Sequence, residues 1–230
     1  SNMAINVMAI VAHPDDEIIG VGGALRKHVK NGDNVHVLIL GDGKTSREIV
    51  TDKNRTSVLS ASEDETKRAL NILGISNYQR LSFPDNKFDS FPLLDIVKKV
   101  SSFISAIKPS IVYTHHFGDL NIDHKKTFEA TIIACRPIEL DIEKILLFET
   151  LSSTEMSGPQ IKDVFLPNYF IGIENELDDK LNAMSQYASE LHDFPHPRSI
   201  TTIRENSHVW GSKVNLKAAE AFVLFRCTEK

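Results

Sequence analysis

His13, Asp15 and Asp16 are the residues whose types and spacing best suit chemistry in this chain. They follow the apolar run at residues 7–11, which has the length and β-branched content of a buried strand. Pro14 prevents that strand from continuing, so the three side chains lie at its carboxyl end, where open α/β sheets bind ligands. His13 and Asp16 can bind one metal ion, because imidazole and carboxylate are common zinc ligands. Asp15, between them, is free to transfer a proton.

A metal site also needs a third ligand, and a second polar segment supplies candidates. It follows the apolar residues 111–113 and contains His115, His116, Asp119, Asp123 and His124. On spacing alone, a purely structural explanation is equally good: His13 would be a loop residue and Asp16 would cap the following helix.

The two segments together resemble the LmbE/PIG-L family of zinc-dependent N-deacetylases. The family's first motif, Ala-His-Pro-Asp-Asp-Glu, is present without a mismatch at residues 12–17, and the Asp-His pair that ends its second motif is present as Asp123 and His124. The resemblance covers nearly the whole chain. It implies one Zn²⁺ per chain, bound by His13, Asp16 and His124, with Asp15 as the general base. Three protein ligands leave one position for water, which is the pattern of a catalytic zinc site.

The chain departs from the family at Asn121, where many members carry a histidine that stabilises the oxyanion. Asn121 is predicted to donate a neutral hydrogen bond there, and His116 or His196 from other loops stay open as alternatives. Asp123 is expected to orient a neighbouring ligand or donor rather than to bind the metal. The predicted catalytic residues are therefore Asp15, Asn121 and Asp123.

A further group of polar side chains lies in predicted loops, where sugar hydroxyls or phosphates would be recognised. Each of them alone is equally well explained as a turn former, a helix cap or a surface charge. The predicted substrate-binding residues are Arg47, Asp85, Asn86, His116, Asp119, Glu155, His196 and Arg198.

Strands and helices alternate along the chain. The patterns predict strands at 5–11, 35–40, 79–83, 110–113, 144–148, 170–173 and 221–225, and helices at 17–30, 60–73, 92–107, 124–135, 178–191 and 200–209. Residues 44–55 are expected to form a loop over the site, and the glycines at 20, 22 and 23 to allow close packing on the sheet. These repeats predict a single Rossmann-like α/β domain over residues 3–230, with a mostly parallel sheet and helices on both faces.

The composition limits the class of protein and its partners. The 230 residues carry a formal net charge of −5, which argues against a nucleic-acid-binding surface. No apolar run is long enough to span a bilayer and no leader pattern opens the chain, so a cytoplasmic location is expected. Ser1 and Asn2 are interpreted as a tag remnant, and Cys135 and Cys227 as buried free thiols. The sequence leaves a monomer and a homo-oligomer open.

The sequence therefore predicts a metal-dependent hydrolase that removes the N-acetyl group of an amino sugar, such as N-acetylglucosamine, or of its conjugate. The substrate is expected to be a small N-acetylated sugar or glycoconjugate. Two alternatives stay open. One is a zinc hydrolase of another amide or sugar conjugate, and the other is a metal-binding, sugar-binding protein without turnover.

Overall fold

A computed structural model describes residues 3–43 and 51–230. Within these residues, the strands are β1 (Asn6–Val11), β2 (Asn34–Gly41), β3 (Asn77–Phe83), β4 (Ile111–His115), β5 (Lys144–Phe148), β6 (Tyr169–Gly172) and β7 (Ala219–Cys227). The helices are α1 (Asp16–Lys30), α2 (Arg55–Ile72), α3 (Leu93–Ile107), α4 (Ile122–Ala134), α5 (Leu177–Ser185) and α6 (Ile200–Ser212). Short 3₁₀ turns lie at Phe88–Ser90 and Thr154–Met156.

The strands form one seven-stranded sheet in the order β3-β2-β1-β4-β5-β7-β6. Strands β1 to β5 are parallel, and β7 is antiparallel to both of its neighbours, β5 and β6. The predicted mostly parallel α/β sheet is therefore confirmed. The carboxyl ends of β1, β4 and β5 are adjacent at one edge of the sheet, and this is the arrangement that collects polar side chains from distant segments.

Two apolar clusters pack on opposite faces of the sheet, because alternate residues of the buried strands point to opposite sides. Val7, Ala9 and Val11 of β1 face a cluster that includes residues of α1, α2, α5 and α6. Met8 and Ile10 face the cluster formed with α3 and α4. The helices thus cover both faces, as the sequence pattern predicts.

Close packing explains two of the three glycines in α1. A Cβ atom at Gly20 would lie 2.2 Å from the ring of Phe148, and one at Gly23 would lie 2.8 Å from Ile173. At Gly22 the nearest such contact is 3.4 Å, so packing alone does not require glycine there. Glycine at positions 20 and 23 lets α1, which begins at Asp16, lie close against the sheet.

Three expectations are corrected by the structure. Helix α2 begins at Arg55 rather than at residue 60, since its first turns are largely exposed and show no apolar period. Helix α5 ends at Ser185 rather than at residue 191, because the chain turns there and carries Tyr187 into the core. Cys135 is buried and free as expected, but Cys227 is exposed, as the last residue of β7.

Within the described ranges, no helix combines the length and the apolar character needed to cross a membrane.

Candidate active site

His13, Asp16 and His124 converge at the carboxyl ends of β1 and β4. His13 lies in the turn after β1, Asp16 is the first residue of α1, and His124 lies in the first turn of α4. All three side chains are buried, and each offers a ligand atom within 4.8 Å of the other two.

The atoms that face one another in this group fit a divalent cation. Oδ2 of Asp16 lies 3.1 Å from Nε2 of His124 and 3.4 Å from Nδ1 of His13. Among the described residues, Oδ1 of Asp16 and Nε2 of His124 make no well-aligned hydrogen bond although both are buried. Buried polar atoms in proteins nearly always have partners. A bound metal ion would supply the missing one.

The opposite nitrogens of the two imidazoles are held by carboxylates. Nε2 of His13 lies 2.8 Å from Oδ2 of Asp123 and 2.8 Å from Oδ1 of Asp85. Nδ1 of His124 lies 3.0 Å from Oδ2 of Asp119. Metal-binding histidines commonly donate their second N–H group to a carboxylate, which fixes the ring. Asp85 and Asp119, predicted to bind substrate, therefore contact the candidate ligands His13 and His124. Asp123 contacts His13, and its orienting role stays a prediction.

Two other groups of side chains could converge on an ion, but their ligand atoms are already in use. In the group of His115, Asp119 and His124, Nε2 of His115 accepts the Ala12 N–H at 3.0 Å. Its Nδ1 then donates to the Thr150 hydroxyl, also at 3.0 Å.

In the remaining group, of His13, Asp85 and Asp123, each oxygen of Asp123 accepts a backbone N–H, from Asn86 and from Phe88. In the group of His13, Asp16 and His124, Oδ2 of Asp16 also accepts a backbone N–H, from His13. Among the described residues, however, Oδ1 of Asp16 and Nε2 of His124 make no well-aligned hydrogen bond, so this group suits a metal best.

The electrostatics of the site favour a positive charge. Burial lowers the pKa of His124, but the carboxylates of Asp119 and Asp16 outweigh that effect and raise it to about 9. Burial also raises the pKa of Asp119, which the neighbouring His124 nevertheless holds at about 2. The pKa of His13 is well above its usual value, because hydrogen bonds to Asp123, Asp16 and Asp85 outweigh its burial. The same carboxylates would stabilise a bound cation.

Asp15 is the N-cap residue of α1, but its side chain does not cap the helix. It precedes α1 with φ of 93°, and its side chain makes no capping hydrogen bond, while its carbonyl oxygen accepts from Ile18 and Ile19. Oδ2 of the buried carboxylate lies 3.2 Å from Nη1 of Arg198. Burial raises the pKa of Asp15 well above its usual value, and Arg198 opposes that rise. A buried carboxyl group with a raised pKa is a candidate for general base catalysis.

Asn121 is the N-cap of α4. Its Oδ1 accepts hydrogen bonds from the backbone N–H groups of Asp123 at 2.9 Å and of His124 at 3.3 Å. It thereby fixes the turn that carries Asp123 and His124. Asparagine before a helical segment is a sequence signal for this role. Its role as an oxyanion donor stays a prediction.

The remaining predicted residues lie outside the group formed by His13, Asp16 and His124. His116 is buried, accepts the Gly118 N–H at Nδ1, and has its pKa lowered to about 4 by burial. Glu155 is exposed in the turn after β5. The ring of His196 stacks on His192. Asn86 contacts Asp123 through its backbone N–H. Arg47 lies outside the described residues.

Several side chains that contact the site are not among the predicted site residues. The Ser153 hydroxyl lies 3.2 Å from Nδ1 of His124, and the Thr154 hydroxyl donates to Asp119 at 2.7 Å. Glu17 accepts the backbone N–H of Asp15 at 3.0 Å and the hydroxyl hydrogen of Tyr187. Glu17 belongs to the first motif, but only the fold brings Tyr187 to it.

With this geometry established, comparison with known proteins identifies the family. Residues 8–135 match the family described as "PIG-L: GlcNAc-PI de-N-acetylase". The chain belongs to the PIG-L family of deacetylases. The matched segment contains the three candidate metal ligands and Asp15, and it ends before β5.

Three similar proteins extend the comparison beyond that segment. The uncharacterized deacetylase YaiS of Escherichia coli is 28% identical over 175 residues, covering 74% of this chain and 87% of YaiS. The N,N'-diacetylchitobiose deacetylase of Pyrococcus horikoshii has a TM-score of 0.77 at 19% identity, over 96% of this chain and 84% of that one. The 4-carboxy-2-hydroxymuconate hydratase GalB of Pseudomonas putida has a TM-score of 0.76 at 19% identity, over 99% of both chains. Since a hydratase shares the fold, the fold alone does not decide the reaction.

Proposed function

We propose that the chain is a zinc-dependent N-deacetylase that hydrolyses the N-acetyl group of an amino sugar or of its conjugate. The observation that carries the proposal is the convergence of His13, Asp16 and His124, with the buried carboxylate of Asp15 in the adjacent turn. Membership of the PIG-L family supports the same reaction.

Asp15 is the residue that moves protons in this proposal. A divalent ion held by His13, Asp16 and His124 would polarise the amide carbonyl and activate water. The carboxylate of Asp15 accepts the proton of the attacking water and later delivers it to the leaving amine. Arg198 holds that carboxylate at 3.2 Å and is itself anchored by a bond from its Nε to the Leu151 carbonyl.

The oxyanion needs a hydrogen-bond donor, and we assign it to the amide of Asn121, with His116 and His196 as the alternatives. Asn121→Asp separates this role from helix capping, because aspartate still accepts the backbone N–H groups but has no amide to donate. If Asn121 is the donor, Asn121→Asp should lower turnover by about 10²–10³ and retain metal. Unchanged turnover, with collapse in His116→Ala or His196→Ala, would transfer the role to that histidine.

The sugar is expected to contact Asn86, Glu155 and His196, which lie in loops and turns of the described chain. Arg47, also predicted to bind substrate, lies outside the described residues. The matched family is described as a de-N-acetylase of GlcNAc-PI, and this supports an N-acetylglucosamine unit as substrate.

The deciding experiment is acetate release, with mass spectrometry of the products, from zinc-loaded protein. The panel contains N-acetylglucosamine, N,N'-diacetylchitobiose and a non-sugar N-acetyl amino acid. Loss of one acetyl group from a sugar substrate is the expected result. In Asp15→Asn, metal should remain and the rate should fall by about 10²–10⁴.

The rivals give different results in the same assay. Hydrolysis of the N-acetyl amino acid, without hydrolysis of either sugar, would indicate a hydrolase of another amide. Stoichiometric metal and sugar binding without turnover of any compound would indicate a sugar-binding protein.

A further inference from the structure

The backbone at Asp15 has a conformation that an ordinary L-residue seldom adopts. Its φ is 93° and its ψ is −27°, in the left-handed region. A non-glycine residue persists there only when its surroundings hold it, and such positions concentrate at functional sites. Contacts with neighbouring residues must therefore hold Asp15 in this conformation.

A chain of hydrogen bonds connects the turn at Asp15 to helix α2 and strand β3. Oε2 of Glu17 accepts the backbone N–H of Asp15 at 3.0 Å, and Oε1 of Glu17 accepts the Tyr187 hydroxyl hydrogen. The Tyr187 oxygen lies 3.1 Å from the hydroxyl of Thr66, which in turn accepts from Arg80 at 3.1 Å. Helix α2 and strand β3 therefore anchor the turn.

This arrangement has a cost in the free energy of folding, because the polar groups of Glu17 and Tyr187 are both fully buried. An isolated carboxylate in the interior is strongly unfavourable unless its oxygens are bonded, and here both oxygens have donors. A helix start needs only a serine or asparagine cap, and α6 and α4 begin in that way. The buried carboxylate at α1 accordingly meets a requirement that is specific to this turn.

We propose that Glu17 and Tyr187 are positioning residues for the general base: they hold Asp15 in its left-handed conformation, so that its carboxylate points away from the helix start and toward Arg198. This inference rests on the proposed role of Asp15. It adds to that role two residues that are not members of the candidate metal group of His13, Asp16 and His124.

Tyr187→Phe tests the proposal, because it removes one hydroxyl and keeps the ring. Tyr113→Phe is the matched control: Tyr113 is also buried, and its hydroxyl bonds Nε2 of His28 near the opposite end of α1 at 2.7 Å. Tyr187→Phe should lower kcat by about 10–100-fold, as expected for a misplaced catalytic group, with KM and zinc content unchanged. Tyr113→Phe should leave kcat unchanged.

Hydrogen exchange at the Asp15 backbone N–H gives a second readout that needs neither substrate nor turnover. Exchange should accelerate in Tyr187→Phe and stay slow in Tyr113→Phe. Glu17→Gln still offers a carbonyl oxygen to that N–H, so it should retain more activity than Glu17→Ala.

The outcomes separate this proposal from the proposed function. Equal kcat in the two tyrosine variants, or equal protection of the Asp15 amide in them, would overturn the positioning role. Full turnover in Asp15→Asn would refute the general base, and with it the catalytic part of this proposal. Loss of turnover in Asp15→Asn together with normal kcat in Tyr187→Phe would refute the positioning role alone.

Discussion

Two buried clusters of charged side chains contact α1, and they differ in how their charges are balanced. Around His13, Asp16 and His124, carboxylates surround the imidazoles, and some buried atoms lack a well-aligned hydrogen bond within the described residues. In the other cluster, one ammonium, of Lys180, lies 2.6 Å from one carboxylate, of Glu220.

The second cluster satisfies its charges internally. Lys180 also donates to the carbonyl of Ile19, and Glu220 accepts the backbone N–H groups of Gly23 and Ala24. A buried cluster whose positive and negative charges are equal in number, and whose hydrogen bonds are all made internally, does not favour a bound ion. An excess of carboxylates favours a bound cation. Charge balance, rather than burial, thus distinguishes the candidate metal site from the other buried cluster on α1.

The strongest test of this difference is the removal of a ligand. His13→Ala and His124→Ala should each lose the near-stoichiometric metal of the purified protein, measured by elemental analysis, because two ligands hold a divalent ion far less tightly than three. Activity should fall to background. His28→Ala, at the far end of α1, is the control and should keep its metal; retention of metal in both ligand variants would refute the assignment.

Breaking the balanced pair should reduce stability without affecting metal. Lys180→Met leaves the Glu220 carboxylate unpaired in the core and should cost about 3–5 kcal/mol in the free energy of unfolding, measured in urea. Lys217→Met, in the exposed pair with Glu174, should leave that free energy unchanged. If the folded Lys180→Met variant bound less metal, the separation of the two clusters would be incorrect.

The carboxylate behind a ligand should have a smaller effect than the ligand. Asp119→Asn weakens the contact with Nδ1 of His124, so zinc affinity should fall by about 10–100-fold in competition with a chelating dye. The matched control is Asp33→Asn, which alters a similar contact to Nδ1 of His28, 2.7 Å away. Equal zinc affinity in the two variants would contradict an orienting role for Asp119.

The smallest effect is the dependence of metal affinity on pH. Because the pKa of His124 is raised from 6.5 to about 9, the metal-free protein carries a proton there at neutral pH, and a metal ion must displace it. Zinc affinity should rise as pH increases toward 9, by about tenfold per pH unit for each proton displaced. Calorimetry in buffers of different ionisation enthalpy should detect proton release, and identical heats in all buffers would contradict it.

The same raised pKa has an opposite consequence for stability. A histidine whose folded pKa exceeds its unfolded value stabilises the metal-free fold fully below pH 6.5, and that contribution disappears as pH rises through about 9. Metal-free protein should therefore lose stability over the range in which it gains zinc affinity.

Local sequence determined the elements and one half of the site. Periodicity and turn residues predicted each strand and helix, with β5 at its observed bounds, because buried strands and amphipathic helices have distinct apolar periods. Asp15 and Asp16 are adjacent, so the turn after β1 is enough to place them together with His13. The sequence pattern predicts α4 only from residue 124, so the N-cap role of Asn121 is a finding of the structure.

Only the tertiary structure decided which distant residues contact the residues of the candidate site. Tyr187 lies 170 residues from Glu17, and Arg198 lies 183 residues from Asp15, yet each pair is in contact. Thr154 reaches Asp119 because β4 and β5 are neighbours in the sheet, so the loops that follow them meet. Local patterns carry no information about strand order or about which loops meet at one edge. The partners of Asp15 and His124 therefore depend on the folded sheet.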